Sequence, residues 1–102
     1  RMAEVKLGKA SEVPAGKGKM FMVQGKRLAV FNADGKFYCI NGTCTHVGGP
    51  LWDGVCEGNV VTCPWHGAQF DVTTGKVLRG PAKIDATAYK LVEKGGELFV
   101  VM

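Results

Sequence analysis

Apolar and polar residues alternate in short runs along this chain, and glycines punctuate the runs. Alternation with a period of two turns one face of a strand toward a core and the other toward solvent. The pattern predicts strands at residues 4–7, 20–24, 28–32, 36–40, 59–63, 69–72, 88–93 and 97–102. Asp34-Gly35 predicts a hairpin turn because both positions tolerate a positive φ, and Gly25-Lys26 and Gly95-Gly96 predict two more. Residues 11–16 read as an irregular turn holding one short helical turn. No segment sustains a helical period with caps, and the sequence has no repeat, low-complexity run or linker. The fold class is all-β.

Composition sharpens this picture in a few places. The 102 residues suit one domain, and 15 Gly with four Pro supply the tight turns that many short strands need. No stretch approaches the roughly 18 apolar residues of a membrane span. Residues 1–4 contain no apolar core that could act as a signal peptide, so a cytoplasmic protein is expected, and a monomer. The net charge of +4 is spread thinly, with a loose group at Lys17, Lys19, Lys26 and Arg27. Nucleic-acid binding would need a denser patch with interleaved aromatics, which excludes that class. Attraction to acidic partner proteins is compatible with the charge.

The candidate chemistry is concentrated in the middle of the chain. Residues 41–81 hold three of the four Cys, both His and both Trp. Two runs stand out: Cys44-Thr45-His46-Val47-Gly48-Gly49-Pro50 and Cys63-Pro64-Trp65-His66-Gly67. The pattern is C-x-H, sixteen residues, then C-x-x-H, and it uses every His in the chain. Gly48, Gly49 and Gly67 allow close backbone approach and expose amides to sulfur, while Pro50 and Pro64 stiffen the loops. Thiolate with imidazole suits zinc or iron–sulfur chemistry. A closed Cys2His2 set would be a structural zinc site, although zinc pairs are usually two to four residues apart and C-x-H is tighter. In a two-iron cluster the set has a different use, both Cys on one iron and both His on the other. No acid/base pair or activated nucleophile accompanies the motif, so an enzyme is not expected.

These residues resemble the signature of the Rieske family. The similarity runs through Cys63-Pro64-Trp65-His66-Gly67-Ala68-Gln69-Phe70-Asp71 and extends to Gly58-Asn59-Val60-Val61-Thr62, Thr74-Gly75-Lys76-Val77 and Gly80-Pro81-Ala82, the last matching the family's proline loop. The resemblance implies a Rieske-type β-sandwich base, residues 1–40 and 83–102, with an inserted cluster-binding part at 41–82. It also implies one [2Fe-2S] cluster held by Cys44, His46, Cys63 and His66, with the imidazoles near the surface. Members from respiratory and photosynthetic complexes carry an additional Cys in each loop, and these form a disulfide. Gly49 and Trp65 occupy the matching positions here, so the similarity is to the soluble ferredoxins that serve aromatic-ring dioxygenases and related monooxygenases. What this implies is a single-electron carrier between an NAD(P)H-dependent ferredoxin reductase and a terminal oxygenase. The small subunit of an NADH-dependent nitrite reductase is the alternative, and a zinc-bound interaction module the remote one.

Several neighbours carry expectations of their own. Cys39 and Cys56 read as buried free thiols, the first on a strand with Phe37 on the same face and the second in a loop, with a Cys39–Cys56 bridge as the alternative. Trp65 is expected beside the cluster, Trp52 in the core, and Asp71 as a hydrogen-bonded turn carboxylate. Val47, Pro50 and Pro81 should flank the two His as a docking surface. High-potential Rieske proteins follow the second His with Gly-Ser-x-Tyr, whose hydroxyls bond cluster sulfur. Ala68 and Phe70 stand at those positions here, which predicts a low potential.

Overall fold

The computed structural model describes residues 2–102. Strands β1 (Glu4–Lys9), β2 (Gly18–Val23), β3 (Lys26–Ala33) and β4 (Lys36–Asn41) come first. Four short strands follow: β5 (Val55–Glu57), β6 (Val60–Thr62), β7 (Gln69–Asp71) and β8 (Val77–Arg79). Strands β9 (Ala88–Lys94) and β10 (Glu97–Val101) return to the first group. They form a six-stranded antiparallel sheet in the order β1-β10-β9-β4-β3-β2 and a four-stranded one in the order β5-β6-β7-β8. The all-β expectation holds.

Eight strands fall where the alternation places them, within one to two residues at each end. β5 and β8 do not appear in the sequence pattern; they are three-residue strands at the two edges of the four-stranded sheet. Cys56 therefore lies in a strand rather than the expected loop. The β2–β3 turn is centred on Gln24-Gly25, one residue before the expected Gly25-Lys26, and Gln24 takes a φ of 51°. The Asp34-Gly35 and Gly95-Gly96 turns occur as expected, with positive φ at all four residues. The helical turn expected in residues 11–16 is a 3₁₀ turn at Ala10–Glu12, and a second one occupies Leu51–Asp53.

β3 explains how the sheet serves the site. Its Leu28-Ala29-Val30-Phe31-Asn32-Ala33 stretch is buried at every position, because both faces of the strand meet a core. Leu28 and Val30 pack with Val13, Cys39, Leu98 and Val100 on one face. Ala29, Phe31 and Ala33 turn the other way, toward Cys44, Leu51, Val61, Cys63, Ala68 and Phe70. The buried Asn32 is satisfied at both ends of its amide: Nδ2 donates to the Val13 carbonyl at 2.8 Å, and Oδ1 accepts from the Gly35 amide at 2.8 Å. One strand thus fastens the base to the core beneath the two cysteine loops.

Candidate metal centre

Both cysteine runs leave a strand or bridge and turn back at once. Thr43 pairs with Pro50 across the mouth of the first loop, and β6 and β7 bracket the second. In the first, the Cys44 amide donates to the Gly49 carbonyl at 2.7 Å and the Gly48 amide to the Cys44 carbonyl at 2.9 Å. In the second, the Cys63 amide donates to Ala68 at 2.7 Å and the Gly67 amide to Cys63 at 3.1 Å. Gly48 and Gly67 have φ values of 77° and 78°, a left-handed conformation that costs a residue with a side chain about 1–2 kcal/mol. Their glycines are what lets each loop close in so few residues.

The loops bring like donors together. Cys44 and Cys63 are 4% and 2% exposed, while His46 and His66 lie at the surface. Burial pushes the Cys44 thiol up, the neighbouring Cys63 sulfur adds to the rise, and the amides of His46 and Val47 work against it by donating to the sulfur. The two imidazoles stand 5.3 Å apart between ring centres, with planes crossed at 83°. Among the described residues no three His, Cys, Asp or Glu side chains converge on one metal position. The arrangement is a buried sulfur pair below an exposed nitrogen pair, a donor set that fits a two-metal group with a sulfur end and a nitrogen end.

Packing around the sulfurs is tight. A Cβ added to Gly49 would lie 2.8 Å from Cys63 Sγ and 3.1 Å from Trp65 Cγ. Trp65 therefore lies across Gly49 beside the Cys63 sulfur, although the indole is 56% exposed. Trp52, expected in the core, is only partly buried at the margin of the cluster-side core. Cys39 on β4 and Cys56 on β5 are buried free thiols in different sheets and in the two separate cores, with no bridge between them. Burial lifts Cys39 to about 12. Asp71 is the expected turn carboxylate: its Oδ1 accepts from the Thr73 amide at 2.8 Å and hydroxyl at 2.6 Å.

The third wall comes from residues 80–84. Ala82 is buried in the cluster-side core, and Pro81, Lys83 and Ile84 join Thr45 and His46 around an open depression of about 420 Å³. Thr45 Oγ1 donates to the Ile84 carbonyl at 2.5 Å, which ties the first loop to this wall. Val47 and Pro81 are exposed and Pro50 half-buried. The roles of Thr45, Lys83 and Ile84 escaped the sequence reading, because they depend on a contact between residues far apart in the chain.

The chain matches the Rieske [2Fe-2S] domain family over residues 3–90. It is 33% identical over 89 residues to the ferredoxin component of a naphthalene 1,2-dioxygenase system from Pseudomonas aeruginosa, covering 87% of this chain and 86% of that protein. The solved ferredoxin of Sphingomonas yanoikuyae B1 superposes with a TM-score of 0.91 at 28% identity, covering 98% of this chain and 99% of that one. A ferredoxin solved in complex with the reduced oxygenase of carbazole 1,9a-dioxygenase gives 0.87 at 32% identity, with 95% and 91% covered. No helix among the described residues is long and apolar enough to cross a membrane. The paired donors and these likenesses lead to one conclusion: the chain belongs to the Rieske [2Fe-2S] family, with one [2Fe-2S] cluster as its cofactor.

Proposed function

We propose that Cys44 and Cys63 hold one iron and His46 and His66 the other, and that the protein passes single electrons from an NAD(P)H-dependent reductase to a terminal oxygenase. The observation that carries the reading is the stacking of a buried cysteine pair beneath an exposed histidine pair whose rings are 5.3 Å apart. When bound, the cluster supplies a one-electron couple. The cysteines, enclosed by Gly49, Trp65 and the cluster-side core, exclude water from its sulfur end. The exposed imidazoles would hold its other end at the surface, where the exposed Val47, Pro81 and Ile84 would offer an apolar rim to a docking protein. Such contacts suit a partner that must bind briefly and leave.

The base at 1–40 and 83–102 then acts as the scaffold and 41–82 as the electron-carrying part. The positions of the two sheets support this division. A cytoplasmic monomer is the proposed state, as reductase and oxygenase must both reach one tip. A relative that shares a third of its residues with this chain over 86% of its own length is a dioxygenase-system ferredoxin, which makes the nitrite reductase alternative the weaker one. Metal and sulfide analysis tests the ligand set: about two irons and two acid-labile sulfides per chain are expected. One zinc without sulfide would overturn it. The dithionite-reduced protein should be reoxidised by the oxygenase component of a naphthalene dioxygenase system and not by a nitrite reductase catalytic subunit; the reverse result favours the alternative.

A further inference from the structure

Charge is divided unevenly over this molecule. Residues 2–40 carry seven Lys or Arg against three Asp or Glu, whereas residues 41–86 carry three against four. The positive excess thus belongs to β1–β4 and their turns, not to the loops that bear the Cys and His. Several cations are already engaged: Lys6 by Glu97, Lys19 by Glu12 and Lys94 by Glu4. Lys26 and Arg27 are exposed at the start of β3 and have no acidic partner among the described residues.

These two cations share one place. With Met22, Gly25, Asn41 and Thr43 they line an open, mainly polar depression of about 310 Å³. Between the lining residues Asn41 and Thr43 the backbone crosses β3 closely. The Gly42 amide donates to the Arg27 carbonyl at 2.8 Å, and a Cβ at Gly42 would stand 2.8 Å from that oxygen. Asn41 Nδ2 donates to the carbonyl and the hydroxyl oxygen of Thr43 at 3.1 and 3.2 Å. Accepting there leaves the Thr43 hydroxyl hydrogen free to donate. The depression therefore offers an ammonium, a guanidinium fork and a hydroxyl donor. Thr43 immediately precedes Cys44, so whatever occupies this place lies at the root of the first ligand loop.

We propose that this depression seats a carboxylate-bearing surface of an electron-transfer partner, as a second contact beside the tip. The guanidinium of Arg27 suits a carboxylate with two parallel hydrogen bonds, and Lys26 adds a point charge. The depression is open, and Met22 beside it is 55% exposed, which fits a broad protein surface with apolar area next to its charge. Unpaired cations at a rim act on encounter rate and orientation, and their effect fades with salt. The part played in electron transfer rests on the carrier reading above; the binding itself does not.

The probe is a ten-residue glutamate peptide titrated into ¹⁵N-labelled, cluster-loaded protein at low salt. Amide shifts should centre on Gly25, Lys26, Arg27 and Asn41 and shrink at physiological salt. The double variant Lys26→Gln with Arg27→Gln should weaken binding about fivefold or more, since two rim charges are removed. Lys90→Gln, an exposed charge on β9 outside this depression, should change it less than about twofold. An unaltered iron–sulfur spectrum shows that the variants keep the fold. Absence of binding, shifts centred on Lys83 beside His46, or a double variant that binds like wild type would each overturn the proposal. None of these readouts needs electron transfer, so failure here leaves the carrier reading standing. A protein that binds the peptide but accepts no electron would overturn that reading and not this one.

Discussion

The loop from Cys44 to Gly49 and the loop from Cys63 to Ala68 close with the same pair of backbone hydrogen bonds, at 2.7 and 2.9 Å in one and 2.7 and 3.1 Å in the other. Each has a left-handed glycine in the fifth position. The side chains do not follow this repeat. The first loop places its His two residues after the Cys and the second places it three after. The first ends in a glycine with no room for a Cβ; the second ends in Ala68, a side chain 1% exposed in the core. A repeated backbone turns both sulfurs inward, and unequal side chains then fit the two loops to each other. Trp65 of the second loop covers Gly49 of the first, while Thr45 of the first holds the wall at Ile84.

The repeat is tested most severely at the cysteines. Cys44→Ser and Cys63→Ser should each abolish the cluster, taking iron and sulfide from about two each per chain toward zero. If one variant retains a full cluster, the two loops are not equivalent in ligation. The second test concerns the sequence beyond the loops. Ala68 and Phe70 supply no hydroxyl to sulfur, which places the protein near the bottom of the span of roughly −150 to +300 mV. Hydroxyl donors favour the reduced, more negative cluster. One hydrogen bond worth about 1.4 kcal/mol corresponds to about 59 mV for one electron. Ala68→Ser with Phe70→Tyr should therefore raise the potential by roughly 100 mV in voltammetry at one pH. A downward shift, or a wild-type value above about +100 mV, would place control of the potential elsewhere.

Smaller effects separate shared backbone from unequal packing. Gly49→Ala drives a methyl group against Cys63 Sγ and Trp65 and should cost about 1–3 kcal/mol in denaturant unfolding. Nothing lies within 4 Å of a Cβ at Gly48 or at Gly67, so alanine there meets only the left-handed backbone. Gly48→Ala and Gly67→Ala should each cost about 1–2 kcal/mol, and by matching amounts. Unequal costs would show that the two turns are similar in geometry but not in energy.

Residue chemistry was the most legible part of the sequence. Two Cys–His runs that use every His leave few readings, and strands of five or more residues declare themselves by alternation. β3 was legible as a strand but not as a wall between two cores, because Leu28 and Ala29 look alike in a pattern that cannot see what lies on each side. Gln24 escaped because a left-handed glutamine is uncommon, and its neighbour Gly25 drew the turn one residue along. Val55-Cys56-Glu57 and Val77-Leu78-Arg79 gained their strand character from β6 and β7, which the local sequence does not contain. Trp65 was expected near the sulfurs, but its contact with Gly49 is a property of two loops meeting, and no single run encodes it.

β4 ends at Asn41 and β9 begins at Ala88, yet Cys39 pairs with Tyr89 and the Asn41 amide donates to Thr87 at 2.8 Å. In kinetic terms, that pairing is a distant closure between two hairpins that each form locally. The entropy of closing such a loop grows only with the logarithm of its length, but it must be met before the contacts reward it. Once β4 and β9 are zipped, everything between them is a tethered ring rather than free chain. Both cysteine loops lie within that ring, so after that closure their encounter would be a search inside a small volume, by a chain that has already lost most of its freedom to wander.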